Sequence, residues 1–455
     1  MAMGSCYLKM MVFAGLVAVC TNGAWADSVS AWGNNWYGQL GDGTSGVDNY
    51  RSSPFAIPSL SSGVTAVAGS RFTSLALRNG GVYAWGNNSN GQLGDGSTTH
   101  SLFPVAVSNL SGGVTAIACG SAYCLAVQNG AAYGWGLNQY GQLGNGTTTS
   151  QSIPVAVTGL SSGVTTIAGG GAHSLAVQDG AVFAWGLNNH GQLGDGTTTD
   201  SSMPVAVSSL SSGVIDIATG LYHNLAVQNG AVYAWGINES GQLGDGTAGV
   251  GNYRWSPFAI PSLSSDVTDI AAGRFHSLAV QNGSVYAWGW NTFGQLGDGT
   301  TTDCWLPVEI PGLHDIVQVA ANEGSSYALA SDGSLWLWGW NSYGQLGLGD
   351  TANRLTPTHL LAPTGYAYTS IEGDAFGDFV LATLSPVPEP ATIAMLLLAG
   401  VGLLRRKRTY AVATRTRRVS HREATVRGFP DQGLTKRGGE IMGRNGVESR
   451  RGAVV

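Results

Sequence analysis

Lysine is absent from residues 27–385, and arginine occurs there six times against 22 acidic residues. A body so poor in cations makes a poor nucleic-acid binder, because phosphate contacts need clustered Lys and Arg. Cysteine is scarce as well: there are five, and none of them falls in the paired C-x-x-C spacing of a zinc knuckle. No nucleophile, base and orienting group can be assembled into a catalytic set, so the chain reads as neither an enzyme nor a cofactor or metal binder. Long apolar runs are also missing. The predominantly apolar stretch 391–404 is only 14 residues long, a helix of about 21 Å against a hydrocarbon core of ~30 Å.

What is abundant is glycine, at 69 of 455 residues, in a chain that is 43% hydrophobic. That hydrophobic content excludes wholesale disorder, and the glycine suits short strands joined by tight turns. The order behind the composition is a repeat. Trp-Gly pairs begin at Trp32, Trp85, Trp135, Trp185, Trp235, Trp288 and Trp338, at intervals of 50 or 53 residues. A fixed period of this length marks a repeat architecture.

One unit shows the physical content. Residues 164–168 form a first short strand and 174–177 a second, with a Gly-rich break between them. Asp179-Gly180 is a hairpin signal of the I′ kind, and 181–185 is a third strand that ends on Trp185. Glycines at 186, 191, 194 and 196 punctuate a loop. Pro204 then opens a fourth strand, 204–207. Four short antiparallel strands per unit make a propeller blade. The phrase around His173-Ser-Leu-Ala-Val177 also occurs seven times, but it is absent before Trp32, and no Trp-Gly follows its last copy near Leu381. The two end pieces are therefore expected to combine into one blade, closing the ring and removing two open sheet edges.

The phrases Tyr-Ala-Trp-Gly-x-Asn-x-x-Gly-Gln-Leu-Gly-Asp-Gly-Thr (233–247) and Ala-Gly-x-x-His-Ser-Leu-Ala-Val (272–280) resemble the regulator of chromosome condensation repeat family. The resemblance covers residues 28–385 and implies an all-β, seven-bladed β-propeller of four-stranded antiparallel blades. It also implies an activity, guanine nucleotide exchange on a small GTPase. Against carrying that activity over stand the acidic body, the signs of export described next, and the lack of any insertion longer than three residues.

Both ends read as addresses. Residues 1–26 carry Lys9, an apolar run from Met11 to Cys20, and Ala24-Trp25-Ala26, the pattern of a secretory signal peptide. At the other end Pro388-Glu389-Pro390, the apolar run, and Arg405-Arg406-Lys407-Arg408 resemble the PEP-CTERM sorting signal (386–408). That resemblance implies an exosortase-type processing enzyme as partner, a transient membrane anchor, and delivery to the cell surface or extracellular matrix. Residues 409–455 carry ten Lys or Arg against four acids and read as a basic, disordered tail. The function expected is thus an exported binding or scaffold module for an exopolysaccharide or surface protein, with regulation of a small GTPase as the alternative.

Candidate sites are few. The repeated tryptophans end apolar strands, so core packing is favoured over ligand stacking. His173, His223 and His276 occupy matching places, with Thr73, Tyr123, Ser326 and Asp378 assigned to the other units, which favours a structural role over a metal ring. The Gly-Asp-Gly turns (Asp42, Asp95, Asp195, Asp245, Asp298) suit Asx caps better than calcium. Five of the seven residues before Gly-Gln-Leu are aromatic or imidazole (Tyr37, Tyr140, His190, Phe293, Tyr343) and are expected to pack on the neighbouring blade. Two long loops share Tyr50-Arg51 and Tyr253-Arg254, a candidate site for an acidic polysaccharide or protein. Cys119 and Cys124 flank one turn and are a candidate disulfide in an oxidising compartment.

Overall fold

A computed structural model describes residues 27–373 and 375–387. These residues form seven four-stranded antiparallel sheets and almost no helix. Blade I has the strands Val64–Gly69, Thr73–Arg78, Gly81–Gly86 and Ser101–Ala106. Blades II to VI repeat that order over 114–156, 164–206, 214–259, 267–309 and 316–360. Blade VII is composite. Tyr366–Gly373 and Phe379–Pro386 supply its two inner strands, and Ser28–Gly33 and Arg51–Ala56 its two outer ones. Ser28–Gly33 pairs with Phe379–Pro386 over six consecutive residue pairs without a shift. The closure expected from the unmatched end pieces is therefore present.

The first strand of each blade lines a central channel of about 290 Å³. The second-to-third hairpins turn on Asn or Asp followed by Gly, both at positive φ in five of the blades. Asp179 at 51° and Gly180 at 81° are one such pair, the I′ geometry. The fourth strand differs from expectation. In blade III it runs Ser201–Ala206, so Pro204 sits inside it, not at its start. The register against the third strand shifts between Ala184 and Gly186. The strand is the outer edge of its blade, where a missing N–H leaves no ladder bond unmade.

The apolar core divides into seven clusters, one at each junction between neighbouring blades. Leu75 and Leu93 of blade I meet Ala126 and Trp135 of blade II, and the pattern continues around the ring. The two junctions of the composite blade are built the same way. Val29, Ala31 and Leu381 pack with Val67 and Trp85, while Trp32 and Val380 pack with Tyr327 and Leu346.

Candidate functional site

Strand direction gives the ring two unlike faces. The second-to-third hairpins and the blade-to-blade connections share one face. The first-to-second loops and the long Gly-rich third-to-fourth loops share the other, which is the loop face.

The long loops are fixed by a recurring set of hydrogen bonds. In blade III, Asn188 donates from Nδ2 to the Thr197 carbonyl at 3.2 Å and accepts the Leu193 N–H at 2.9 Å. Asp195 caps the turn by accepting the Thr197 N–H at 2.9 Å. This is the Asx role expected of the Gly-Asp-Gly aspartates. Blade VI, which has Leu348 at that place, uses Asp350 instead, accepting from Asn341 and Ala352. The Gln carbonyl of each loop then receives the indole N–H of the next blade's tryptophan. Trp85 donates to Gln39 at 2.8 Å, Trp185 to Gln142 at 2.8 Å, and Trp32 to Gln345 at 2.9 Å. All seven tryptophans are fully buried, which places them in the core as expected.

The three matched histidines join this node. Ser277 donates its hydroxyl proton to the Gln242 carbonyl at 2.8 Å, so His223 must carry its proton on Nε2 and donate to Ser277 Oγ at 3.1 Å. His276 does the same through Ser326 to Gln295, and His173 through Asn224 to Gln192. Each imidazole therefore ties its blade to the next. The register also corrects the alignment of the other units. Ser325 and Phe379, not Ser326 and Asp378, stand opposite the glycine of the Trp-Gly pair. Blade VII carries extra residues in its first loop, which moves the frame.

Burial pushes His173 down to about 4 and His223 and His276 down to about 3. It pushes Glu372, beside Asp216 in the channel, and Asp378 up to about 8. The signs oppose each other. Between about pH 3 and 6.5 the unfolded chain takes up imidazole protons that the ring refuses, so stability falls as pH drops. Between about pH 4 and 8 the ring holds two carboxyl protons that the unfolded chain releases, so stability falls as pH rises. Three groups against two place the expected stability maximum at about pH 6. Urea midpoints from pH 4 to 9 check this, and a midpoint that keeps rising to pH 8 would contradict the burial of both carboxyls.

The remaining sequence candidates fall as follows. Arg51 pairs with Asp42 of its own loop at 2.6 Å and lies over Phe55 at 4.4 Å. Arg254 pairs with Asp245 at 2.6 Å and lies over Phe258 at 4.4 Å. Both guanidiniums are thus engaged in holding the long loops. Tyr50 is exposed, and Tyr253 packs on His190. Cys119 and Cys124 are cross-strand partners with Sγ atoms 2.8 Å apart, present as a contacting thiol pair without a disulfide bond. The sorting-motif residues Pro388, Glu389, Pro390, Arg405 and Arg406, the stretch 391–404, and residues 1–26 lie outside the described residues. Among the described residues no helix is long and apolar enough to cross a membrane.

Two features of the loop face emerge only from the folded ring, the second of them including Tyr37, Phe293 and Tyr343 from the Gly-Gln-Leu set. The first is the channel mouth. One position of the first-to-second loop reads Arg71, Ser121, Gly171, Leu221, Arg274, Glu323 around six blades, with Phe376 from blade VII. All of these except Gly171 line one depression of about 70 Å³. The loops are joined edge to edge, Ser121 N–H to the Gly170 carbonyl at 3.3 Å and Gly171 N–H to Leu221 at 3.2 Å. The second feature is an arc of aromatic rings across blades V, VI, VII and I. It runs Phe275, Trp290, Phe293, Trp340, Tyr343, Trp36, Phe72, Tyr37, with neighbouring centroids 4.8 to 6.1 Å apart. Of the rings before Gly-Gln-Leu, Tyr37, His190, Phe293 and Tyr343 pack on the neighbouring blade, while Tyr140 is exposed. The signal for the mouth was variation: its position changes chemistry from blade to blade while its surroundings repeat.

A family model for the regulator of chromosome condensation (RCC1) repeat matches residues 27–77, 79–127, 129–177, 179–227, 229–280, 282–329 and 332–373. The chain belongs to this repeat family. The secretion-regulating guanine nucleotide exchange factor of Bos taurus is 42% identical over 55 residues, a stretch covering 12% of this chain and 12% of that protein. Among solved structures, human WBSCR16 is 24% identical with a TM-score of 0.70, over 80% of this chain and 99% of that one. Prp20p from Saccharomyces cerevisiae is 23% identical with a TM-score of 0.72, over 82% of this chain and 95% of that one. Prp20p itself binds Gsp1p and histones. At these identities the likeness is one of fold.

Proposed function

We propose that the ring is a binding module that works from its loop face, and that its partner is a small GTP-binding protein. The observation that carries this reading is membership of the repeat family across all seven blades. The short matched stretch in a nucleotide exchange factor supports it further. Exchange of this kind needs no nucleophile in the propeller. It needs a surface that binds the nucleotide-free partner more tightly than the nucleotide-bound one, since the two affinities are coupled. The loop face supplies a rigid rim with aromatic and arginine side chains, the residue types that anchor protein interfaces. The test is release of fluorescent GDP from a panel of small GTPases with the full chain added. The expected result is roughly tenfold faster release from one member, a dissociation barrier lower by about 1.4 kcal/mol. No acceleration and no complex with any member would overturn the reading.

A second reading rests on the two ends of the sequence. The apolar leader with Ala24-Trp25-Ala26, and Pro388-Glu389-Pro390 ahead of the basic cluster, favour an exported surface scaffold cut by an exosortase-type enzyme. The N- and C-terminal masses of the protein isolated from cells test it. An intact 1–26 leader on cytoplasmic protein would exclude export.

A further inference from the structure

We propose that the channel mouth on the loop face is a binding site for an acidic sugar, with the carboxylate held by Arg71 and Arg274 and the sugar ring stacked on the neighbouring aromatic arc. The site does not depend on the GTPase reading.

The propeller has six arginines. Arg51, Arg254 and Arg354 are paired with Asp42, Asp245 and Asp350 of their own loops. Arg78 donates to the Ser62 carbonyl at 2.9 Å. These four hold loops and turns in place. Arg71 and Arg274 come from blades I and V and line the same depression. Arg71 is exposed, lies 5.1 Å from the Phe72 ring and acts electrostatically on Asp378. Arg274 pairs with Glu323 through Nη1, while its Nε is buried with no hydrogen-bond partner. Across the mouth Asp378 Oδ1 is likewise buried without a partner. Polar atoms left bare in a buried position cost free energy unless something completes them.

The local charge suits an anion even though the body is acidic. Burial first and then Glu323 raise the Asp378 carboxyl to about 8, with Arg71 and Arg274 acting in the opposite direction. Among the described residues the two guanidiniums face the Glu323 carboxylate and the buried carboxyl of Asp378. Arginine's planar fork matches a carboxylate.

The aromatic arc separates a sugar from a simple carboxylate. Trp36 stacks on Phe72 at 5.8 Å, directly beside Arg71, and Trp340 stacks on Phe293 at 5.1 Å on the Arg274 side. These rings are half-buried, so each leaves part of its surface to solvent. The Trp36 indole N–H has no partner. A concave site with apolar ring faces and a few placed polar groups is the usual form of a small-molecule site. A uronate offers both halves: C–H faces for the rings and a carboxylate for the arginines. The depression admits one such group.

The test is titration of the full chain with tetragalacturonate, read by calorimetry and tryptophan fluorescence. Neutral maltotetraose and a tetraglutamate peptide serve as comparisons. The expected result is saturable binding of tetragalacturonate, with maltotetraose weaker by roughly tenfold or more, the loss expected for one charge-assisted hydrogen bond, and tetraglutamate weaker because it lacks a sugar ring to stack. Arg71→Gln with Arg274→Gln should lower affinity by about the same factor, and Trp36→Ala should lower it as well. Arg78→Gln, on the opposite face, should not change it. Thermal melts of each variant separate loss of binding from loss of fold. Equal binding of maltotetraose would overturn the arginine assignment. Equal binding of tetraglutamate would assign the site to protein carboxylates and overturn the sugar. No binding of any of the three would overturn the site.

Discussion

Trp32→Ala is expected to destabilise the ring by about 3–5 kcal/mol, as much as Trp185→Ala in the middle of the chain. Trp32 is fully buried, packs in the cluster between blades VI and VII, and donates to the Gln345 carbonyl 313 residues away. Removing it takes out a large apolar side chain and strips a donor from a buried carbonyl. Trp185 has the same relation to Gln142 across the junction of blades II and III. If Ser28–Gly33 were an appendage, its tryptophan would matter far less than one at mid-ring. Urea unfolding of the two variants side by side checks this. A cost below about 1 kcal/mol for Trp32→Ala, with a full cost for Trp185→Ala, would contradict a closed ring.

Gly170→Ala is the second large effect, expected to cost about 2–3 kcal/mol by overpacking. A Cβ at Gly170 would lie 2.6 Å from Nδ1 and 2.8 Å from Nε2 of His173, whose ring has no room to move because Nε2 is bonded to Asn224. The repeats themselves indicate the remedy. In blades II to V, where this place holds Tyr123, His173, His223 or His276, the residue three before it is glycine. Where it holds Thr73 or Ser325, that residue is Ser70 or Asn322. His173→Thr should therefore recover much of the loss when added to Gly170→Ala, although alone it breaks the bond to Asn224. Adding Gly170→Ala to His173→Thr should cost less than about 1 kcal/mol. Strict additivity of the two would show that the glycine is required for another reason.

Most of the fold was legible because the constraints that build it recur every 50 or 53 residues. The Trp-Gly pair, the Asn and Asp of the loop, and the Gln-Leu phrase each repeat because each meets the same partner at every junction. The unmatched end pieces revealed the closure by the same logic. Strand limits were less legible. Pro204 looked like a strand start because proline removes a donor, yet on an outer edge with a register shift that loss costs no ladder bond. The site was the hardest to read. Arg51 and Arg254 stood out by repetition, and repetition turned out to mark their pairing with Asp42 and Asp245. Arg71 and Arg274 lie 203 residues apart in sequence and meet only because the ring brings blades I and V to one mouth. Their distinguishing mark is difference from the other blades, which a search for repeated motifs passes over.

The closed ring is the claim on which the junction chemistry and the mouth both depend, and a cysteine pair tests it most directly. Ser30 and Ala382 are opposite partners in the pairing of Ser28–Gly33 with Phe379–Pro386, a relation like that of Cys119 and Cys124 on adjacent strands of blade II. Directly opposed strand positions lie within disulfide reach. With Ser30→Cys and Ala382→Cys introduced together, mild oxidation of dilute protein should join these two segments within one chain, seen as a single cross-linked peptide by mass spectrometry. If both introduced thiols stay open to alkylation in the folded protein, or bridge only between separate chains, the composite blade does not exist and the ring is not closed in this way.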